Sequence, residues 1–455
     1  MRLCIVGGGG FRTPFVYQAL LRDVGWPRIT EVVLHDVDED RLSTITQILT
    51  GLADGVPEAP RVLSTTSLPR AIEGSDFVFA AMRVGGLAGR RSDEHVALDL
   101  GVVGQETTGP GGLAYAMRTV PVMMEVARLM RELAPGAYLV NFTNPAGIVT
   151  EAVQSVLGDR VLGVCDTPAG MGRRVTSALG LDPSRVQLDY VGLNHLGWLR
   201  RVLHDGTDVL PRLLADKAAL ETLEEAEIFG TPWIRALGAI PNEYLYYYYC
   251  NREAVRRMRA GETRGDQLAR SQTDFFRAAR HAGAAAARLW RDAATARSAS
   301  YMREARSGPE RGTDSRPELG DDNQPDPGDE GYAGVALAVV AALSRNEPAT
   351  LILNVRNGTT VAGLPSDAVV EVPALVDATG LHPEAVAPPD LDQLGLMQQV
   401  KAVERHAIAA ALTGSRQEAL LAFALHPLVD SVAVGRELLS GYLERIPELA
   451  RVLTR

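Results

Sequence analysis

The sequence is short of three things: cysteine, net positive charge and long apolar runs. Only Cys4, Cys165 and Cys250 occur among 455 residues, widely separated. That excludes a disulfide framework and a closed cysteine zinc cluster, and it fits a reducing cytosol. A net charge of -10 argues against a nucleic-acid partner and leaves any basic site to local arginines. No apolar stretch is long enough to span a bilayer, so no membrane partner is expected. The opening "MRLCIVGGGG" stops being apolar too soon for a signal peptide. With 46% hydrophobic and 22% charged residues, a soluble globular protein is expected, and its length predicts two domains rather than one core.

What is present is an alternation of strand and helix. "RLCIV", "ITEVVLHD", "SDFVFAAMR", "AYLVNFTNP" and "RVLGVCDTP" read as short apolar strands, with helical spacing in "FVYQALLRD", "RLSTITQILTGL" and "AMRTVPVMMEVARLMREL" between them. That pattern predicts an α/β fold: a Rossmann-type doubly wound parallel sheet over residues 1–165. A larger mixed α/β (α+β) domain is expected over 166–455. There "DYVGLNHLGWLRRVL" is strand-like and "DQLARSQTDFFRAARHAGAAAARLWRDAATARS" reads as one long helical run. Residues 306–330, rich in Pro, Gly and Asp, are expected to form a mobile surface loop. A helix "YAGVALAVVAALS", two strands "TLILNVRN" and "AVVEVPALVD", and closing helices "LMQQVKAVERHAIAAALTG" and "RQEALLAFALHPLVD" follow.

Gly7, Gly8, Gly9 and Gly10, with Phe11 and Arg12, connect the first strand to the first helix. Glycines there let the backbone approach a pyrophosphate at a helix N-terminus. Arg12 takes the place of the fingerprint's third glycine. Asp36, at the end of the second strand, is placed for a ribose diol and favours NAD over its phosphorylated form.

Five polar insertions fall where strands should end: "RVGGLAGRRSDE", "GQETTGPGG", "NFTNPAG", "GVCDTP" and "GLNHLGW". Open α/β sheets bind ligands along that edge. Each has a plainer reading: a glycine turn, an Asn-Pro turn, a small buried cysteine, a core histidine. Cys165 and His195 together would make a two-point metal site with positions left for substrate. Such ligands suit Mn²⁺, Fe²⁺, Co²⁺ or Ni²⁺ without choosing among them.

Taken in order, "VGGGGFRTP", those five segments and "PNEYLYYYY" resemble glycoside hydrolase family 4, NAD- and divalent-metal-dependent glycosidases, nearest to its 6-phospho-β-glucosidases. The resemblance implies a fold like that of lactate and malate dehydrogenases and a substrate that is a phosphorylated disaccharide or aryl glucoside. It also implies a cytoplasmic homodimer or homotetramer, with NAD and Mn²⁺ or another divalent transition metal as cofactors. The implied chemistry departs from two-carboxylate hydrolysis: hydride leaves C3 of the sugar, the ketone acidifies the C2 proton, the aglycone is eliminated from C1, water adds and the hydride returns. By this resemblance Cys165 and His195 are the metal ligands, Asp166 the proton donor to the leaving group and Tyr244 the C2 base. A free phenol titrates near ~10, so the resemblance also implies help for Tyr244 from the cation and from Glu106. Arg90, Asn144 and Arg264 match substrate-binding positions, and guanidinium groups grip phosphate well. The β-type members usually carry Asn after the metal-binding Cys, whereas Asp166 here follows the α-type 6-phospho pattern. Two further readings of the same residues are an NAD-dependent 2-hydroxy-acid dehydrogenase and a non-catalytic NAD-sensing protein.

Overall fold

The structure, a computed structural model, describes residues 1–298 and 331–455. The segment 306–330, expected as a loop, lies outside the described residues. One sheet carries the molecule. Its first part consists of β1 (Arg2–Val6), β2 (Glu31–His35), β3 (Arg61–Thr65), β4 (Phe77–Ala80), β5 (Tyr138–Asn141) and β6 (Val161–Gly163). These run parallel in the order β3-β2-β1-β4-β5-β6, the doubly wound arrangement whose switch point lies between β1 and β4.

The reason is legible in β1. Leu3 and Ile5 join one buried cluster, which includes Leu34, Phe79 and Val140. Cys4 and Val6, pointing the other way, join a second with Val33, Val78 and Met117. A strand buried on both faces needs apolar residues at every position, and "LCIV" supplies them. The exposed β3 lacks that signature and goes unnoticed in the sequence.

The second part continues the same sheet in antiparallel fashion. It comprises β7 (Val186–Leu193), β8 (Leu196–His204), β9 (Thr207–Asp208), β10 (Ile240–Pro241), β11 (Ala349–Arg356), β12 (Val369–Asp377) and β13 (Gly380–Pro383). β11 adds to β6, β12 to β11, β7 to β12 and β8 to β7. A single row of paired positions therefore crosses the whole sheet: Val6, Ala80, Asn141, Gly163, Asn354, Glu371, Gly192 and Gly197. The loops of Gly7, Arg83, Asn144, Cys165 and His195 begin one to three residues beyond this row.

Two expected elements differ. "RVGGLAGRRSDE" is less a loop than the start of a helix, Gly86–Asp99, entered through Gly85 at φ 82. The long Ala/Arg-rich run is two helices, Arg264–Ala279 and Ala286–Ser298, broken around Gly283 at φ 55. The second returns to the nucleotide end, where the buried indole of Trp290 donates to the Phe11 carbonyl at 3.0 Å. No helix among the described residues is long and apolar enough to cross a membrane.

Candidate active site

A cavity of about 1450 Å³ lies along the carboxyl edge of the sheet and takes in Gly7, Gly10, Phe11, Arg12, Asp36, Arg90, Glu106, Asn144, Asp166, Tyr244 and Arg264. Most of the residues singled out in the sequence thus share one space. At Gly7 the backbone has φ 87, and a Cβ there would lie 2.7 Å from the Ala81 carbonyl oxygen beyond β4. A side chain would strain the turn and push that loop away. The Gly7 and Gly8 N–H groups both donate to the His35 carbonyl, at 2.9 and 2.7 Å, which fixes the turn against β2. Asp36 accepts from the Gly9 N–H at 3.1 Å and from the Asp38 N–H at 3.2 Å. A carboxylate has about four acceptor sites, so capacity remains for a ribose diol. Arg12 caps the helix Thr13–Arg22, whose N-terminus suits a pyrophosphate.

Cys165 ends the loop after β6 and caps the helix Asp166–Ala178. His195 occupies the tight turn between β7 and β8 with φ 64. Its ring lies flat on that of Tyr244, centroids 3.7 Å apart and 9° from parallel. Burial lowers the imidazole to about 3, against a weaker upward pull from Glu106. The ring is therefore neutral, the form that binds metals, and its buried Nδ1 has no hydrogen-bond partner. Burial, then Glu371 and Asp166, push the Cys165 thiol well up, so thiolate forms there only with a compensating cation. A buried imidazole nitrogen without a partner and a thiol that needs a compensating charge are each donors suited to a divalent ion. Among the described residues no group of three or more His, Cys, Asp and Glu is arranged to hold one.

Both ligand candidates stand one residue behind the cavity wall rather than on it. Asp166 and Thr167 face the cavity beside Cys165, and Tyr244 covers His195. His195 itself borders a separate space of about 30 Å³ with Thr108, Glu404 and His426. Sequence spacing gives no hint of this layering.

The opposite wall is cationic. Arg90 is buried, its Nε donating to Glu94 at 3.0 Å and its Nη1 to Glu106 at 2.5 Å. Arg83 pairs with the other Glu106 oxygen. Burial would raise the Glu106 carboxyl, but Arg83, Arg90 and Arg297 outweigh it and hold it low. Glu106 is thus a fixed anion within an arginine cluster. Arg264 begins its helix, with Nη1 donating to Gln267 at 2.7 Å and Nη2 to the Arg297 carbonyl at 3.1 Å. Arg297 is pushed down to about 9, first by burial and then by Arg12, Arg264 and Arg90. Cations that crowd one another this strongly make a site for an anion. Asn144 borders the same space from the loop after β5. Sequence reasoning missed Arg83 and Arg297. Arg83 stands three residues past β4, a strand-end position that could have flagged it; Arg297, in an Ala/Arg-rich helix, carried no signal.

Comparisons with known proteins identify the family. The profile "Family 4 glycosyl hydrolase" matches residues 2–181, and "Family 4 glycosyl hydrolase C-terminal domain" matches 190–429. A probable 6-phospho-beta-glucosidase of Bacillus subtilis is 31% identical over 98% of this chain and 96% of its own. A solved 6-phospho-beta glucosidase of Thermotoga maritima, with manganese, NAD+ and glucose-6-phosphate, superposes with TM-score 0.81 at 28% identity, covering 98% of this chain and 99% of that one. A solved 6-phospho-alpha-glucosidase from gut microorganisms, with NAD and Mn2+, gives 0.80 at 28% identity and 97% coverage of each chain. Malate dehydrogenase of Plasmodium falciparum, at 12% identity and TM-score 0.51 over 90% of this chain and 98% of that one, shares the fold alone. Matched along nearly its whole length, with its strand-end loops gathered on one cavity, the chain belongs to the family 4 glycosyl hydrolases.

Proposed function

We propose that the chain hydrolyses 6-phospho-β-glucosides, with NAD in residues 1–165 and a divalent ion, Mn²⁺ by analogy with the solved relatives, held by Cys165 at the end of that segment and by His195. The observation that carries this reading is Tyr244 stacked on His195 in a cavity whose other wall is an arginine cluster. In this reading the stack joins the proton acceptor to a metal ligand, and the arginine wall takes the sugar phosphate.

When bound, NAD supplies a reversible hydride store and the ion a Lewis acid next to the C3 oxygen. With C3 at the ketone level, Tyr244 removes the acidified C2 proton. Asp166 protonates the aglycone oxygen as its bond to C1 breaks, leaving an enone. Water adds at C1, the proton returns to C2 and the hydride to C3. Arg90, Asn144 and Arg264 hold the sugar phosphate and hydroxyls, and Glu106 fixes the arginines while its charge reaches His195. Assembly as a homodimer or homotetramer in the cytoplasm belongs to the same proposal.

The test is incubation with NAD⁺, Mn²⁺, reductant and p-nitrophenyl β-glucoside 6-phosphate, beside the α-anomer and the unphosphorylated sugar. Nitrophenol release that needs both cofactors and the phosphate supports the reading. In D₂O the product should carry deuterium at C2; active enzyme that incorporates none would rule out elimination. Asp166 directly after Cys165 favours a second reading, a 6-phospho-α-glucosidase, which faster turnover of the α-anomer would select. Net NADH accumulation with a 2-hydroxy acid, and no glycoside cleavage, would replace both with a dehydrogenase.

A further inference from the structure

We infer that Glu371 is a positioning residue that sets both the metal-binding turn and the base-bearing segment, through two separate arms of a buried hydrogen-bond network. The inference rests on the roles proposed above for His195 and Tyr244.

Glu371 lies in the middle of β12, fully buried, in the row that crosses the sheet. Its Oε1 accepts from Asn354 Nδ2 at 2.8 Å and from Asn194 Nδ2 at 3.4 Å. Its Oε2 accepts from the Tyr190 hydroxyl at 3.0 Å. A buried carboxylate is tolerated only when such donors surround it.

The two arms leave in different directions. Asn194 precedes His195 in the turn, and its Oδ1 accepts from the Ala146 N–H at 3.0 Å. That arm ties the His195 turn to the loop of Asn144. On the other arm, the Tyr190 hydroxyl accepts from Asn242 Nδ2 at 3.1 Å, and Asn242 Oδ1 accepts from the Tyr244 N–H at 3.0 Å. One carboxylate thus reaches the backbone of the proposed base in three hydrogen bonds and the ligand turn in one.

The backbone makes room for this. A Cβ at Gly197 would lie 2.3 Å from the Tyr190 hydroxyl, and one at Gly163 would lie 2.9 Å from Asn354 Cβ. A chain that only needed a packed sheet here would have filled these positions with apolar side chains. Instead it keeps a buried ionisable carboxyl group and the polar atoms that satisfy it, at a place where both arms end on the proposed machinery.

The arms make separable predictions. Asn194→Ala should weaken Mn²⁺ binding, read by electron paramagnetic resonance of free Mn²⁺, by about 10–100-fold, the usual range for outer-shell supports of a metal ligand. Tyr190→Phe should leave Mn²⁺ affinity within about twofold and lower kcat by about 10-fold with KM little changed, the pattern of an interaction expressed in the transition state, while slowing deuterium incorporation at C2. Glu371→Gln should do both. In all three, NAD binding measured by fluorescence should match the parent. If Glu371→Gln fails to fold, the Asn194 and Tyr190 variants still decide. Equal losses of Mn²⁺ affinity and kcat in those two, or unchanged values in both, overturn the two-arm assignment. Parent enzyme whose activity ignores Mn²⁺ would instead sink the functional reading beneath it.

Discussion

The two halves of the sheet present the same edge to the cavity in different chemical forms. Around β1 and β2 the edge offers backbone: N–H groups of a glycine turn, a helix N-terminus, and Asp36 held by the N–H groups of Gly9 and Asp38. Along β7 to β12 it offers side chains, namely a neutral imidazole, a tyrosine lying on it and a buried carboxylate behind them. Parallel strands end in loops that lead into helices, so their edge is rich in main-chain donors. Antiparallel neighbours reverse through tight turns and place side chains from distant sequence side by side. The glycine turn suits a cofactor; the buried side chains, with Cys165 at the end of β6, serve the proposed reaction.

If that contrast is right, damage to the glycine turn and damage to the metal and phosphate positions should separate. The largest effect is expected from Cys165→Ser, with activity falling on the order of 10³-fold, the worth of several kcal/mol of charge stabilisation. Mn²⁺ binding should weaken while NAD affinity, followed by fluorescence, stays near the parent value. Loss of NAD binding in that variant would break the comparison. Next is Arg264→Ala on the cationic wall. KM for the phosphorylated sugar should rise about 30–1000-fold, as for a charged partner removed from a buried pair, and an unphosphorylated glucoside should register little change. Gly7→Ala should raise the NAD dissociation constant by about 10–100-fold through backbone strain and the clash with Ala81, with Mn²⁺ binding intact.

The glycine turn, Asp36 and the apolar strands were legible because each depends on neighbours a few residues away. Cys165 and His195 could be paired as metal ligands from residue type and position, whereas Tyr244 was singled out only through the likeness of whole ordered segments. Nothing in "NHLGW" or "PNEYLYYYY" says that His195 and Tyr244 will stack. Glu371 was invisible. In "AVVEVPALVD" it reads as a lone polar residue inside an apolar strand that ends in Asp377, and its burial is decided by partners 17, 177 and 181 residues away. Register between antiparallel strands is a property of the folded sheet, and the local pattern does not carry it.

The smallest predicted effect sharpens the contrast from the side of pH. His426, buried near His195, is lowered to about 3 by desolvation. It must stay neutral in the fold while the unfolded chain can protonate near ~6.5. Between those values the unfolded state binds more protons, so stability rises with pH. His426 contributes fully above ~6.5, and the contribution is lost as pH falls, by up to about 1.4 kcal/mol per unit. Thermal denaturation should show Tm dropping from pH 6.5 to 4.5, and His426→Gln should flatten that slope. A slope unchanged by the substitution would remove His426 as its source.

The pairing of β11 with β6, and the bond from Trp290 to Phe11, have an implication for how this protein can be taken apart. A fragment ending at residue 165 would leave β6 as a naked strand edge, open to pairing with another chain, and would strip the cover from Phe11. The cofactor half is therefore not a cassette that could be lifted out and reused. Whatever holds the dinucleotide here was fitted to this particular partner half, and the two must be carried together.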